Sequence, residues 1–319
     1  MEQGSWAHET IIKPVDQGEF DADLIVFVRP VAGWEAAEYI NTLLDAFKAN
    51  KTYKDMAKAW SHCVTITYAN DKKVDIAPCV VDRGGLTRLE VCNRDKNEFE
   101  RSEPRRYTQW MVQRNSYSGS NSFRKVTRLV KYLRDIKTRF TCTSVLLTTI
   151  LGYRISPADQ NSVAFADTPT ALKTIFGRMD DWLQMNLIKP TVPNPYLSIE
   201  DFADNWTDDQ YANFRERIHT YRQWIDEAFD EQDRAESIAK WRRVFGEDFA
   251  SGVVLNEGKS AGQLVVADLR RTLVEASQSN RSTITSSADW QQKRLGAAAL
   301  HPTGMINRPR RRDARLGGC

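Results

Sequence analysis

Phe20-Asp21-Ala22-Asp23-Leu24-Ile25-Val26-Phe27-Val28 is the stretch whose reading decides the fold. Its apolar half is rich in β-branched and aromatic residues and has no helical period, which predicts a β-strand. Side chains two apart on a strand share a face, so Asp21 and Asp23 are expected together, with Ala22 and Leu24 facing the other way. Two neighbouring carboxylates repel each other and cost desolvation unless a cation joins them. A solvated strand end accounts for a lone D-x-D equally well, so the flanking sequence has to decide.

The composition narrows the classes. Of 319 residues, 41% are hydrophobic and 27% charged, as in ordinary globular proteins, and the length suits one large domain or two lobes. A net charge of +3 is too mild to require nucleic acid as a partner, although the final nineteen residues hold five Arg against one Asp. Cys63, Cys79, Cys92, Cys142 and Cys319 form no CxxC pair and there are only four His, which argues against a zinc site or a disulfide framework. The longest apolar run, Val145 to Leu151, is broken by Thr148 and Thr149 and is too short to span a bilayer. With no signal pattern at the start, a cytoplasmic protein without a membrane partner is expected.

Ahead of the acidic strand stands Gly4-Ser5, ordinarily just a turn. Placed before such a strand it gains meaning, because a Gly lets backbone amides approach a phosphate and a Ser adds a donor. After the strand, Trp34, Tyr39, Ile40, Leu43, Leu44 and Phe47 recur at helical spacing as core packing. His62 to Tyr68, Lys73 to Val81 and Leu86 to Val91 then read as a β-meander. Its middle strand carries Asp75 between Val74 and Ile76, where an acid is unfavourable by propensity. A solvated edge strand is one reading of Asp75; a third carboxylate beside Asp21 and Asp23 is the other.

Cys92 to Phe99 reads as a polar segment and Ser116 to Ser122 as a loop. From Phe123 to about Phe140 an amphipathic helix buries Phe123, Val126, Val130 and Leu133, with Arg124, Arg128 and Lys131 as a basic stripe on another face. That stripe is either a solvated face or a cationic wall opposite the acidic strand. A second helix starts near Thr143-Ser144, and helices follow over Leu172–Asn186, Thr207–Phe229 and Glu231–Phe245, with an aromatic-rich core of their own. After Ser251 the Ser/Thr-rich and Pro, Gly and Arg composition predicts a flexible tail, with one short helix at Ala267–Glu275.

Gly4-Ser5, Asp21-x-Asp23 and Asp75 together resemble the active site of polymerase-β-like nucleotidyltransferases. Within that superfamily the chain is most similar to the bacterial cGAS/DncV-like nucleotidyltransferases (CD-NTases), which make cyclic oligonucleotide signals in anti-phage defence (CBASS). The likeness is carried by the Gly-Ser-x4-Thr-x-Ile-Lys-Pro lead-in, by Asp-Ala-Asp-Leu-Ile-Val-Phe, which also resembles the oligoadenylate synthase strand, and by Val74-Asp75-Ile76-Ala77-Pro78. It continues through Cys92-Asn93-Arg94 to Tyr107-x-x-Trp110, then Leu129 to Arg134 before the helix opened by Ser144.

The resemblance implies an α+β fold, a bilobal polymerase-β-like nucleotidyltransferase with a mixed-sheet catalytic lobe (1–115), a helical lobe (116–250) and a tail (251–319). It implies that Asp21, Asp23 and Asp75 hold two Mg²⁺ (or Mn²⁺) ions, with Asp75 also taking the hydroxyl proton. Gly4 and Ser5 would cradle donor phosphates, with Lys131 and Ser144 reaching them from the helical lobe. The activity implied is synthesis of a cyclic di- or trinucleotide from NTPs, sensed by a downstream effector. A nucleotidyltransferase that modifies a tRNA or a protein, or a truncated inactive partner recruited through its tail, are the alternatives.

The family usually carries a long helix before the Gly-Ser turn, whereas three residues precede it here: either this is a fragment, its start codon is misassigned, or the enzyme lacks that helix. Arg315-Leu316-Gly317-Gly318-Cys319 resembles the end of a ubiquitin-like modifier, which implies conjugation through Gly318 and Cys319 by an E1/E2-like enzyme; an arbitrary frayed terminus, with Arg308 to Arg315 as a nonspecific electrostatic patch, is the alternative.

Overall fold

The computed structural model describes residues 1–15, 20–69 and 72–251, with the side chains of Phe20 and Asp21 outside the description. The expected Ala267–Glu275 helix and the tail residues Gly318 and Cys319 lie outside the described residues, all of which fall within one compact unit.

The acidic stretch forms strand β2 (Phe20–Val28), following a two-residue strand β1 (Glu2–Gln3) and a four-residue helix α1 (Gly4–Ala7). Helix α2 (Ala36–Ala49) is held at its start by a capping box, in which the Glu35 and Glu38 side chains each meet the other's backbone. Strands β3 (Ala57–Ala59), β4 (Val64–Tyr68), β5 (Lys72–Val81), β6 (Leu89–Asn93) and β7 (Glu98–Ser102) complete a seven-stranded mixed sheet. Its order is β1-β2-β5-β4-β3, with β6 on the far half of β5 and β7 beside β6; β2 and β5 run parallel and the other pairs antiparallel.

Period-two alternation gives the sheet two different faces. Leu24, Val64, Ile66, Val74 and Ile76 pack with Tyr39 and Ile40 of α2 into one core. The intervening residues, Asp23, Thr65 and Asp75, belong to the opposite face by the same alternation.

The rest is helical: α3 (Pro104–Tyr117), α4 (Ser122–Lys137), α5 (Ser144–Tyr153), α6 (Thr168–Met185), α7 (Asp208–Asp230) and α8 (Arg234–Phe245), with a hairpin of β8 (Pro193–Asn194) and β9 (Leu197–Asp201) between α6 and α7. The α4 stripe Phe123, Val126, Val130 and Leu133 is buried, as its spacing predicts, and sits in a second core with Leu146, Phe214 and Trp241. Tyr107, Trp110 and Met111 of α3 belong to this second core. Aromatic residues expected to be structural are so: Phe140 meets Phe214 at 5.2 Å and Trp206 meets Phe214 at 4.8 Å between ring centroids.

Several boundaries differ from expectation for local reasons. The polar Cys92–Phe99 segment is a β-hairpin whose turn is closed by Asn97 at φ +55°. The expected 116–122 loop shrinks because α3 runs on to Tyr117. Helix α4 stops at Lys137, where Thr138 takes a left-handed conformation. Asp167 and Asp233 cap α6 and α8 by accepting from Thr170 and Glu236 amides, which sets where those helices begin.

Candidate active site

Strand register brings the acidic residues together. Gln3 pairs with Asp23, Asp23 with Asp75, and Asp75 with Thr65, so one rung crosses β1, β2, β5 and β4. Gln3, Asp23 and Asp75 line a cavity of about 1400 Å³ between the sheet and the helical layer. Thr65 Oγ1 donates to Asp75 Oδ1 in a hydrogen bond that orients this carboxylate. Asp21 pairs with Lys73 two rungs away; its side chain is outside the described residues.

The Gly4-Ser5 pair sits against this rung. Gly4 has φ +60°, and a Cβ there would lie 2.0 Å from Asp23 Oδ2. Both the backbone conformation and the room for the carboxylate therefore demand Gly. Gly4 and Ser5 open a helical turn, where a plain turn is expected, and both line the cavity.

Lys131 and Ser144 line the same cavity from α4 and α5. Lys131 is buried, 4% exposed, and its Nζ donates to the Thr10 carbonyl at 3.2 Å. Burial foremost, with Arg134 adding, brings its pKa down to about 8, against the opposing pull of Asp135 and Asp23. Ser144 Oγ accepts from Arg134 Nη1 at 3.2 Å. Arg134 itself is bound to Asp135 and the Cys142 carbonyl, and it also faces the cavity.

The expected basic stripe is thus not a solvated face, and Lys131 on it lines the cavity that Asp23 and Asp75 also line. Arg124 pairs with Glu9 at 2.9 Å and Lys131 holds Thr10, so α4 grips the segment that follows Gly4-Ser5.

His8, on that segment, is buried against the Tyr107 ring with Nε2 3.2 Å from Thr108 Oγ1. Burial first, then the Lys131 and Arg124 cations, hold its pKa down to about 4, leaving it neutral near pH 7. The acidic rung is sensed by Cys63, whose thiol is pushed up to about 11 by burial, then Asp75, with Asp23 adding.

The donor set suits a hard divalent cation, since carboxylate oxygens select Mg²⁺ or Mn²⁺ over zinc. Among the described residues no three acidic, His or Cys side chains cluster as a metal site; Asp21, the third expected ligand, has no described side chain.

Sequence reasoning missed several cavity residues. His62 lines it, its Nε2 2.9 Å from Glu100 Oε2. Tyr107, Asn194, Glu200 and Phe202 line another part. As one of four His, at the start of an expected strand, His62 carried a faint signal, and Tyr107 stands in the Tyr107-x-x-Trp110 motif; Asn194, Glu200 and Phe202 carried none, because only folding brings them beside residues 1 to 80.

Residues 1–115 match the family model described as SMODS, the Second Messenger Oligonucleotide or Dinucleotide Synthetase domain. A curated relative, the c-di-GMP synthase of Roseivirga ehrenbergii, is 22% identical over 253 residues, covering 70% of this chain and 66% of that protein. The chain therefore spans just under two thirds of that relative's length. Among solved structures, CdnC of E. coli MS115-1 with ATP has a TM-score of 0.61 at 19% identity, over 77% of this chain and 82% of that one. Vibrio cholerae DncV with a linear intermediate also gives 0.61, at 18% identity, over 77% and 68%. CdnG of Bradyrhizobium diazoefficiens with GTP gives 0.56 at 17% identity, over 85% and 84%. No helix among the described residues is long and apolar enough to cross a membrane.

Proposed function

We propose that this chain, whose amino-terminal domain is of the SMODS family and whose fold is that of the polymerase-β-like, cGAS/DncV-like nucleotidyltransferases, is a cyclic oligonucleotide synthase. It joins nucleoside triphosphates through phosphodiester bonds and releases pyrophosphate. The observation that carries this reading is the Asp23–Asp75 rung with Gly4 packed on the Asp23 carboxylate, set in a cavity faced by Lys131. At about 1400 Å³ the cavity exceeds the roughly 300–1,000 Å³ of ordinary small-molecule pockets, which suits two nucleotides.

Asp21, Asp23 and Asp75 would hold Mg²⁺ or Mn²⁺, which neutralises triphosphate charge and lowers the pKa of the attacking ribose hydroxyl. Thr65 occupies one oxygen of Asp75, so the other is left to take the hydroxyl proton. The bare backbone at Gly4 and the Ser5 hydroxyl receive the donor phosphates. Lys131, and Ser144 through its bond to Arg134, supply positive charge and a donor from the opposite wall. After one bond forms, the linear product turns round and the same residues close the ring.

In the cell this activity would serve anti-phage signalling in the cytoplasm, with a cyclic-nucleotide-sensing effector downstream. CdnC has been solved in complex with a HORMA protein, which favours a protein partner here too. Conjugation through Gly318 and Cys319 by an E1/E2-like enzyme is part of the same proposal.

The test is incubation of the chain with labelled NTPs and Mg²⁺. A phosphatase-resistant small product, lost in Asp23→Asn, is expected. Undiminished synthesis by that variant refutes the assignment of the site, and label on a macromolecule refutes the cyclic product.

A further inference from the structure

One wall of the cavity plays no part in the proposed chemistry at the phosphates. Glu200, in β9, and Phe202, just beyond it, both line the cavity. The Phe202 ring meets Tyr107 edge-on, with centroids 5.7 Å apart, and Tyr107 in turn lies 5.3 Å from His8, on the segment that carries Gly4 and Ser5. An aromatic path thus leads from the phosphate cradle to Phe202, two residues along the chain from Glu200.

The carboxylate at the end of this path is held in place. Asn194, only 5% exposed, donates from Nδ2 to Glu200 Oε2 at 2.7 Å, while its own Oδ1 accepts from the Tyr196 amide at 3.0 Å. Both ends of the amide are engaged, so its orientation is fixed and Asn194 is a positioning residue. Among the described residues no Lys or Arg forms an ion pair with Glu200, and no donor besides Asn194 hydrogen-bonds its carboxylate. Burial foremost, with the charge of Glu100, raises the Glu200 pKa, as expected for a carboxylate short of compensating donors.

A nucleobase can supply those donors. At its pairing edge guanine presents two adjacent N–H donors, N1–H and the 2-amino group. Adenine places a ring-nitrogen acceptor beside its amino group, and uracil sets one N–H between two carbonyls. A carboxylate, acceptor-only when ionised, matches the first pattern and repels the lone pair of the second.

We propose that Glu200 reads a guanine stacked against Phe202, so that GTP is the preferred substrate at one of the two base positions. Resting on the synthase reading of the cavity, the proposal adds the substrate class. A bidentate base contact contributes discrimination of about tenfold or more, and the aromatic wall holds the ring without choosing among bases.

The experiment measures binding of GTP, ITP and ATP to the full chain with Ca²⁺ in place of Mg²⁺, alongside GMP and AMP incorporation with Mg²⁺. The parent is expected to bind GTP about tenfold or more tighter than ATP. ITP, which lacks the 2-amino group, should fall between them. Glu200→Gln should bring GTP down to the level of ATP, and Asn194→Ala should narrow the same ratio by a smaller factor. Measurable ATP binding by both variants shows that they fold. Equal affinity of the parent for GTP and ATP, or an unchanged ratio in Glu200→Gln, overturns the proposal. Guanine-selective binding without any turnover would instead refute the synthase reading and leave the guanine site standing.

Discussion

Replacing Gly4 by Ala tests the link between the phosphate cradle and the acidic rung. Two effects are expected and they can be separated. At φ +60° an L-residue costs about 1–2 kcal/mol of backbone strain. For a chain of this size that lowers Tm by roughly 1.5–4 °C. In addition, the new Cβ would stand 2.0 Å from Asp23 Oδ2, about 1 Å closer than carbon and oxygen tolerate, so the carboxylate must swing away from the rung. A displacement of that size at a reacting group costs on the order of 100-fold in rate.

Gly33 supplies the control, because it has φ +80° with nothing within 4 Å of a built Cβ. Gly33→Ala should show the Tm loss alone, whereas Gly4→Ala should show it together with the loss of labelled-NTP turnover. If Gly4→Ala melts like Gly33→Ala and turns over within a few fold of the parent, the placement of Gly4 against Asp23 is not functional.

The buried His8 should make the fold acid-sensitive in a defined window. Its pKa of about 4 lies below the ordinary 6.5, so between these values the unfolded chain binds a proton that the folded one refuses. Stability is then lost as pH falls from 6.5 to 4, by about 3 kcal/mol at ~1.4 kcal/mol per unit. Melting curves of parent and His8→Gln across this range should converge; an identical pH slope in both would rule out His8 as the group responsible. Lys131 sets a second window on the alkaline side. With its pKa at about 8, its charge is lost as pH rises through that value, so NTP affinity in the parent should fall above pH 8. Lys131→Met should bind NTPs more weakly at pH 7 and lose the fall above pH 8, and a persistent alkaline fall in this variant would assign it to another group.

The elements that were legible in the sequence are those with a strong apolar period. Strand β2 with its unbroken run, the β4–β5–β6 meander, and α4 with its Phe123, Val126, Val130 and Leu133 stripe all form as read. Strand β7 was hidden because it carries Glu98, Glu100 and Arg101 at the sheet margin, where one side faces solvent and polar residues cost nothing. Strands β1, β3 and β8 are two or three residues long, too short to show a period. The basic stripe on α4 was read from spacing alone, which places charges on one face without saying what that face meets. In the fold it meets Glu9 and Thr10.

The sequence by itself determined the chemistry available: carboxylates on an acidic strand, a glycine before them, a third acid in a neighbouring strand and cations on an amphipathic helix. Residue types and short-range periods are local properties, and they survive in a string of letters. What only the tertiary structure decided is register and partnership. Strand pairing at Asp23 and Asp75 makes one rung of them, where a one-residue slip would have turned them to opposite faces. Folding also sets Thr65 on Asp75, Lys131 on Thr10 and Asn194 on Glu200, pairs 10, 121 and 6 residues apart. Such pairings depend on how whole layers pack, because a hydrogen bond needs two atoms at one place and sequence spacing alone does not say which distant residues will share it.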